Sequence, residues 1–184
     1  MPIIKNYGLR WTREKVQWGA RGKGNEGRLT GKLATLKSST EVDFRKQIGI
    51  YVLYEPGFSP VYIGQAGMGN SRLFQRLKNH TNDHLRDRWV AFSWFGFRDV
   101  NQDCSLSDKH NREALTSIKY SDALGEIEGV LIQVLEPRLN RQGPKWQQTA
   151  SEYVQEGLQD TSMRLEDLAD SIARLQKQLN SRKG

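Results

Sequence analysis

Two tyrosines stand eleven residues apart, each paired with a glycine: Gly49-Ile50-Tyr51 and Tyr62-Ile63-Gly64. Facing tyrosines on a hairpin are ordinarily packing, a pair adding about 0.2–1 kcal/mol. The glycines argue for more, because glycine weakens a strand interior and its usual justification is close approach by a ligand or another backbone. Downstream, Arg76 and His80 are four apart in a segment of helical spacing, so they share one face, with Arg72 one turn earlier. Phenol, guanidinium and imidazole together are the groups of proton transfer and of charge stabilisation at an anionic oxygen.

A carboxylate joins them from a later helix. At about 100° per residue, Leu124, Ile127, Leu131 and Val134 form the stripe expected to be buried. Glu126 then falls nearly opposite and is expected in solvent, whereas Glu128 falls on the edge of the stripe, half-inserted toward the core. A carboxylate placed there needs a cation as partner, and a structural ion pair with an arginine satisfies that need as well as a metal does.

The elements that must position these groups are short. "IGIYVLY" (48–54) is β-branched and aromatic and stops at Glu55-Pro56-Gly57; "PVYIG" (60–64) resumes as the second arm of a hairpin. "RLFQRLKNH" (72–80) reads as a helix, and "WVAFSWFGF" (89–97) as a strand apolar on both faces, hence central or covered. Its aromatic residues suit core packing better than base stacking. Residues 99–121 are polar, with a short helix expected at 110–119, and Asp122 is the expected N-cap of a helix ended before Pro137. The fold predicted is α+β: a small central three-stranded antiparallel sheet flanked by helices, with a basic N-terminal extension (1–46), a central domain (47–146) and a long C-terminal helix (147–184).

The chain has 184 residues, a net charge of +7, a pI near 9.6 and one cysteine, Cys104, which suits a reducing, cytoplasmic compartment. No apolar run approaches a membrane span and no signal-peptide pattern opens the chain. The charge is uneven: residues 1–47 hold eleven Lys/Arg against four Asp/Glu, residues 48–146 twelve against eleven, and residues 147–184 five against six. So concentrated an excess favours nucleic acid as partner.

Taken in order, "GIY" at 49–51, "YIG" at 62–64, "LFQRLKNH" and "EGVLIQVLEPRLN", with Glu128 nine before Pro137 and twelve before Asn140, resemble the GIY-YIG nuclease superfamily. The match covers roughly residues 47 to 141, and the histidine four after the arginine is similar to the restriction and homing branches. Arg72 competes for the arginine role because the loop "QAGMGNS" is long; Leu73 three before and His80 four after favour Arg76. The resemblance implies a metal-dependent DNA endonuclease in which Arg76 bridges phosphoryl oxygens and Glu128 ligates one Mg²⁺ or Mn²⁺. Tyr51 would orient or deprotonate water, His80 relay its proton, Tyr62 support phosphate or water, and Asn140 hold the end of the glutamate helix against the site. Which tyrosine is the base stays open, since a phenol of ordinary pKa about 10 needs cations to lower it.

DNA phosphates are expected on Arg72 and Lys78 beside this site, and on Arg21, Lys23, Arg28 and Lys32 of the basic region, unless Trp11, Val16 and Trp18 make that region part of the core. A protein keeping the fold for DNA binding or assembly without turnover is the non-enzyme alternative. His80 and His84 have zinc-binding spacing but lack a convincing third ligand, and His110-Asn111-Arg112 is too short a motif to carry an assignment. Finally, Val154, Leu158, Thr161, Leu165, Leu168, Ile172, Leu175 and Leu179 follow alternating steps of four and three. That heptad seam predicts a helical homodimer through residues 147–182.

Overall fold

All six residues of Ala91–Gly96 are buried, which requires partners on both edges and cover on both faces. The computed structural model, which describes residues 3–20, 26–35, 40–67, 71–107, 120–136 and 149–156, supplies them. In chain order its elements are β1 (Asn6–Thr12), β2 (Thr30–Leu33), β3 (Val42–Asp43), β4 (Gly49–Tyr54), β5 (Pro60–Ala66), α1 (Leu73–Asn79), β6 (Ala91–Gly96), α2 (Tyr120–Leu135) and β7 (Ser151–Gln155). The strands form one sheet in the order β3-β2-β7-β1-β6-β4-β5.

This overturns the expected three-stranded sheet. β4, β5 and β6 are present and antiparallel, but they are three strands of a seven-stranded mixed sheet. The N-terminal residues are not an extension: β1 lies between β6 and β7, antiparallel to the first and parallel to the second. Trp11 is fully buried, and its indole N–H donates to the Tyr153 carbonyl of β7 at 3.1 Å. The long C-terminal helix is corrected as well, since residues 151–155, including Val154 of the heptad seam, are a strand. The seam from Leu158 onward, the helix expected at 110–119 and His110-Asn111-Arg112 lie outside the described residues. β2, β3 and β7 are two to five residues long, too short for a period of two to stand out from noise.

A buried polar knot ties β1 to the rest. The Gln47 side-chain amide donates to the Asn6 side-chain carbonyl at 2.7 Å and to the Arg98 carbonyl at 3.1 Å, while its own oxygen accepts the N–H groups of Ile48 and Arg98. The Gln47 carbonyl accepts the N–H of Leu73, fixing the start of α1.

The two faces of the sheet carry different helices. Tyr51, Leu53, Phe92 and Trp94 share one core with Leu73, Phe74 and Leu77 of α1. Val52, Tyr54, Ala91 and Phe95 point the other way and pack with Val134, and at the margin Val130, of α2. The aromatics of β6 are therefore core, as their pattern suggests. Among the described residues no helix is long and apolar enough to cross a membrane.

The helix α2 is rotated from the predicted orientation. Ile127 and Leu131 are 59% and 48% exposed, and the seated face is Glu126, Val130 and Val134, each four apart. Glu126 is buried because its two carboxylate oxygens accept the N–H groups of Ile3 and Ile4 at 2.8 and 3.1 Å. Glu128 is exposed. Apolar spacing alone pointed to the wrong stripe; the two amide donors at Ile3 and Ile4, ahead of β1, decided it. Glu126→Ala is accordingly expected to cost about 1–3 kcal/mol by orphaning those donors, and Glu128→Ala less than about 0.5 kcal/mol. Urea denaturation of the two variants checks both.

Candidate active site

Tyr51 sits in the second inward-facing position of β4, opposite Gly64 of β5 and Trp94 of β6. The glycines now have reasons. Gly49 has φ +145°, and a Cβ there would lie 1.9 Å from the Phe95 carbonyl oxygen, so only glycine lets β4 approach β6. A Cβ on Gly64 would come within 2.3 Å of the Tyr51 hydroxyl and 2.8 Å of the Tyr62 ring. Gly64 is the space in which the Tyr51 phenol lies.

On that face α1 is seated by Leu73, Phe74 and Leu77, all buried. This seating turns the Arg76–His80 face toward the hairpin. The His80 ring stands 4.8 Å from that of Tyr62 and 5.8 Å from that of Tyr51, and the two phenol rings are 6.2 Å apart. His80 Nε2 and the Tyr51 hydroxyl form a hydrogen bond of 2.8 Å. The Arg76 guanidinium interacts with both phenols, Tyr51 foremost, which raises its basicity against the opposing effect of burial and keeps it a cation. Its Nε is buried with no hydrogen-bond partner among the described residues.

Tyr51 is fully buried. Burial pushes its pKa up to about 12, outweighing the nearby Arg76 charge, which pulls it down. The cations expected to make Tyr51 a phenolate do not prevail; at neutral pH it is a phenol that gives and takes hydrogen bonds. Tyr62, half-buried, is the more accessible of the pair.

One member of the cluster escaped the sequence reading. Asp83 accepts from the other ring nitrogen of His80, Nδ1 to Oδ2 at 2.7 Å. Burial works to raise the Asp83 pKa, but the Leu85 N–H, the His80 hydrogen bond and the histidine charges outweigh it and hold the carboxyl below the usual range. The signal was an acidic residue three after a histidine, obscured by the His80–His84 spacing. Trp89, also missed, donates its indole N–H to the His80 carbonyl at 3.1 Å. The same indole lines a cavity of about 600 Å³ with Arg13, Trp18, Phe58 and Val90.

The remaining expected residues are dispersed. Glu128 makes no hydrogen bond or ion pair with a described residue, and its helix packs on the opposite face of the sheet from the tyrosines. Among the described residues no three His, Cys, Asp or Glu gather as a metal site. The described residues thus do not fit a Mg²⁺ or Mn²⁺ ion held by Glu128 at the tyrosine cluster. Asn140, Arg21 and Lys23 lie outside the described residues. Arg72 precedes α1 and its guanidinium donates to the Ser71 carbonyl. Lys78 is engaged with the Trp18 carbonyl at 2.6 Å. Arg28 and Lys32 stand near the carboxylates of Glu41 and Glu156, on the β2 side of the sheet.

Gly64→Ala is expected to lower any activity of this cluster by about 10²-fold, the cost of displacing a reacting group by about 1 Å. The strand is at the sheet edge, so circular dichroism of the variant should remain that of the parent. No protein family, curated protein or solved structure matches this chain at a significant level.

Proposed function

We propose that this chain is a DNA endonuclease hydrolysing phosphodiester bonds at the Tyr51–Tyr62–Arg76–His80 cluster. The observation that carries the reading is the convergence itself. Four side chains that the sequence separates by up to 29 positions meet on one face, linked by the 2.8 Å Tyr51–His80 hydrogen bond. Convergent cation, phenols and imidazole suit attack of water on a phosphate diester, whose transition state gathers negative charge on the phosphoryl oxygens.

In this reading the Arg76 guanidinium bridges two of those oxygens. The accessible Tyr62 phenol meets the water. A proton passes from water to Tyr62, from Tyr62 to Tyr51, and from Tyr51 to His80 Nε2, as the hydroxide oxygen bonds to phosphorus. The bond from phosphorus to the leaving oxygen breaks with its electron pair on that oxygen, which solvent then protonates. No step here runs through a metal. The net charge of +7 supports a polyanionic substrate, and the single cysteine is compatible with the cytoplasm. One such cluster cuts one strand, so a duplex break needs a second copy of the chain or a second visit.

The experiment is relaxation of supercoiled plasmid by the purified full chain, with Mg²⁺, with Mn²⁺ and with chelator. Nicked product that disappears in Arg76→Ala supports the reading. DNA binding with no nicking under any of the three conditions favours an assembly protein that keeps the fold.

A further inference from the structure

Among the described residues Asp83 is the one carboxylate in contact with the cluster, and its two oxygens are divided between two tasks. Oδ1 accepts the Leu85 N–H at 2.8 Å, which shapes the turn after α1, and Oδ2 meets His80 Nδ1 at 2.7 Å. An ionised carboxylate only accepts hydrogen bonds, so Nδ1 must carry a proton. In neutral imidazole the other nitrogen is then an acceptor. Nε2 therefore takes its 2.8 Å hydrogen bond from the Tyr51 hydroxyl, and the phenol donates rather than accepts at this contact.

We propose that Asp83 is a positioning residue that sets the His80 tautomer, leaving Nε2 free to take a proton from the tyrosine pair. The inference rests on the nuclease reading for its catalytic consequence, but the tautomer follows from the hydrogen bonds alone. His80 is 5% exposed, so water does not compete for its ring. When Nε2 takes up a proton the imidazolium gains the Asp83 charge as partner, 2.7 Å away. The titratable and charged groups facing His80 are Tyr51 from β4, Tyr62 from β5, Arg76 from α1 and Asp83 itself; His84 stands beside Asp83. Of these only Asp83 is an anion at neutral pH. Asp83 is thus the counter-charge standing at the far end of the relay.

The test is the ¹⁵N spectrum of the His80 side chain together with the pH–rate profile of nicking, in the full chain and in two variants. The unsubstituted chain should show the Nδ1–H tautomer wherever the ring is neutral. Asp83→Asn should mix the tautomers and lower the nicking rate by about 10²-fold or more, the usual worth of positioned proton transfer. Asp83→Ser retains an oxygen for the Leu85 amide but cannot reach Nδ1, so it should behave as Asp83→Asn does, whereas a purely structural role would leave Asp83→Ser active. An Nε2–H tautomer in the unsubstituted chain overturns the proposal, as does an unchanged tautomer and pH profile in both variants. Failure to nick with the Nδ1–H tautomer present instead counts against the nuclease reading alone.

Discussion

Arg76→Ala is expected to lower cleavage by about 10²–10³-fold while the chain stays folded and bound to DNA. The magnitude follows from the role: a guanidinium spanning two phosphoryl oxygens is stronger against the transition state than against the ground state, so its loss falls on the rate constant. The fold should survive because α1 is held by Leu73, Phe74 and Leu77, all buried, and not by Arg76. Arg76→Lys should recover little, since an ammonium cannot bridge two oxygens in a plane. Single-turnover cleavage with gel-shift binding at matched salt measures both halves. Parental cleavage in Arg76→Ala, with cleavage lost in Arg72→Ala, would show that the other arginine does the work.

Removing residues 1–46 is expected to abolish folding outright. The deletion takes away β1, β2 and β3. β6 then loses its pairing from Asn6 to Thr12, β7 loses both neighbours, and the Asn6 partner of the Gln47 knot is gone. Losing the fully buried Trp11 alone compares with core aromatic truncations worth about 3–5 kcal/mol, a large part of the stability of any domain this size. The measurement is amide-proton dispersion in the NMR spectrum of the 47–184 chain; a dispersed, native-like spectrum would return these strands to the status of an arm. Loss of DNA binding on truncation would consequently say nothing about phosphate contacts. Those need charge reversal at Arg28 and Lys32 in the intact chain, read as the salt dependence of binding.

What could be read in the sequence was local. β4, β5, β6, α1 and α2 announce themselves by dense apolar pattern, turn residues and period, and the tyrosine–arginine–histidine group rides on three of those five, β4, β5 and α1. The non-local partners were hidden. β7 pairs with β1 and β2 across more than a hundred residues, and "SEYVQ" has a single large apolar aromatic to mark it, in a stretch whose leucine spacing suggested a helix. The orientation of α2 was hidden for a related reason: it turns on a carboxylate meeting amides at Ile3 and Ile4, more than 120 residues earlier. Asp83 was legible in principle. A carboxylate three residues after a histidine at a helix end reaches the near nitrogen, whereas the zinc spacing that distracted from it had no third ligand.

The parallel pairing of β1 with β7 also dictates an order of events during synthesis. Asn6 lies beside Ser151, and at about 5–20 residues per second the ribosome makes the second some 7–30 s after the first. β6 is available much earlier, so β1 can dock on one edge while its other edge waits unpaired. For that interval the nascent chain carries an open strand edge, with Trp11 lacking its Tyr153 acceptor, and such an edge invites pairing with neighbouring chains on the same message. Holding factors at the tunnel mouth would then govern yield more than the finished protein's stability does. Ribosome-bound chains halted before residue 150 should accordingly be protease-sensitive through residues 1–46, and resistant once β7 has cleared the tunnel.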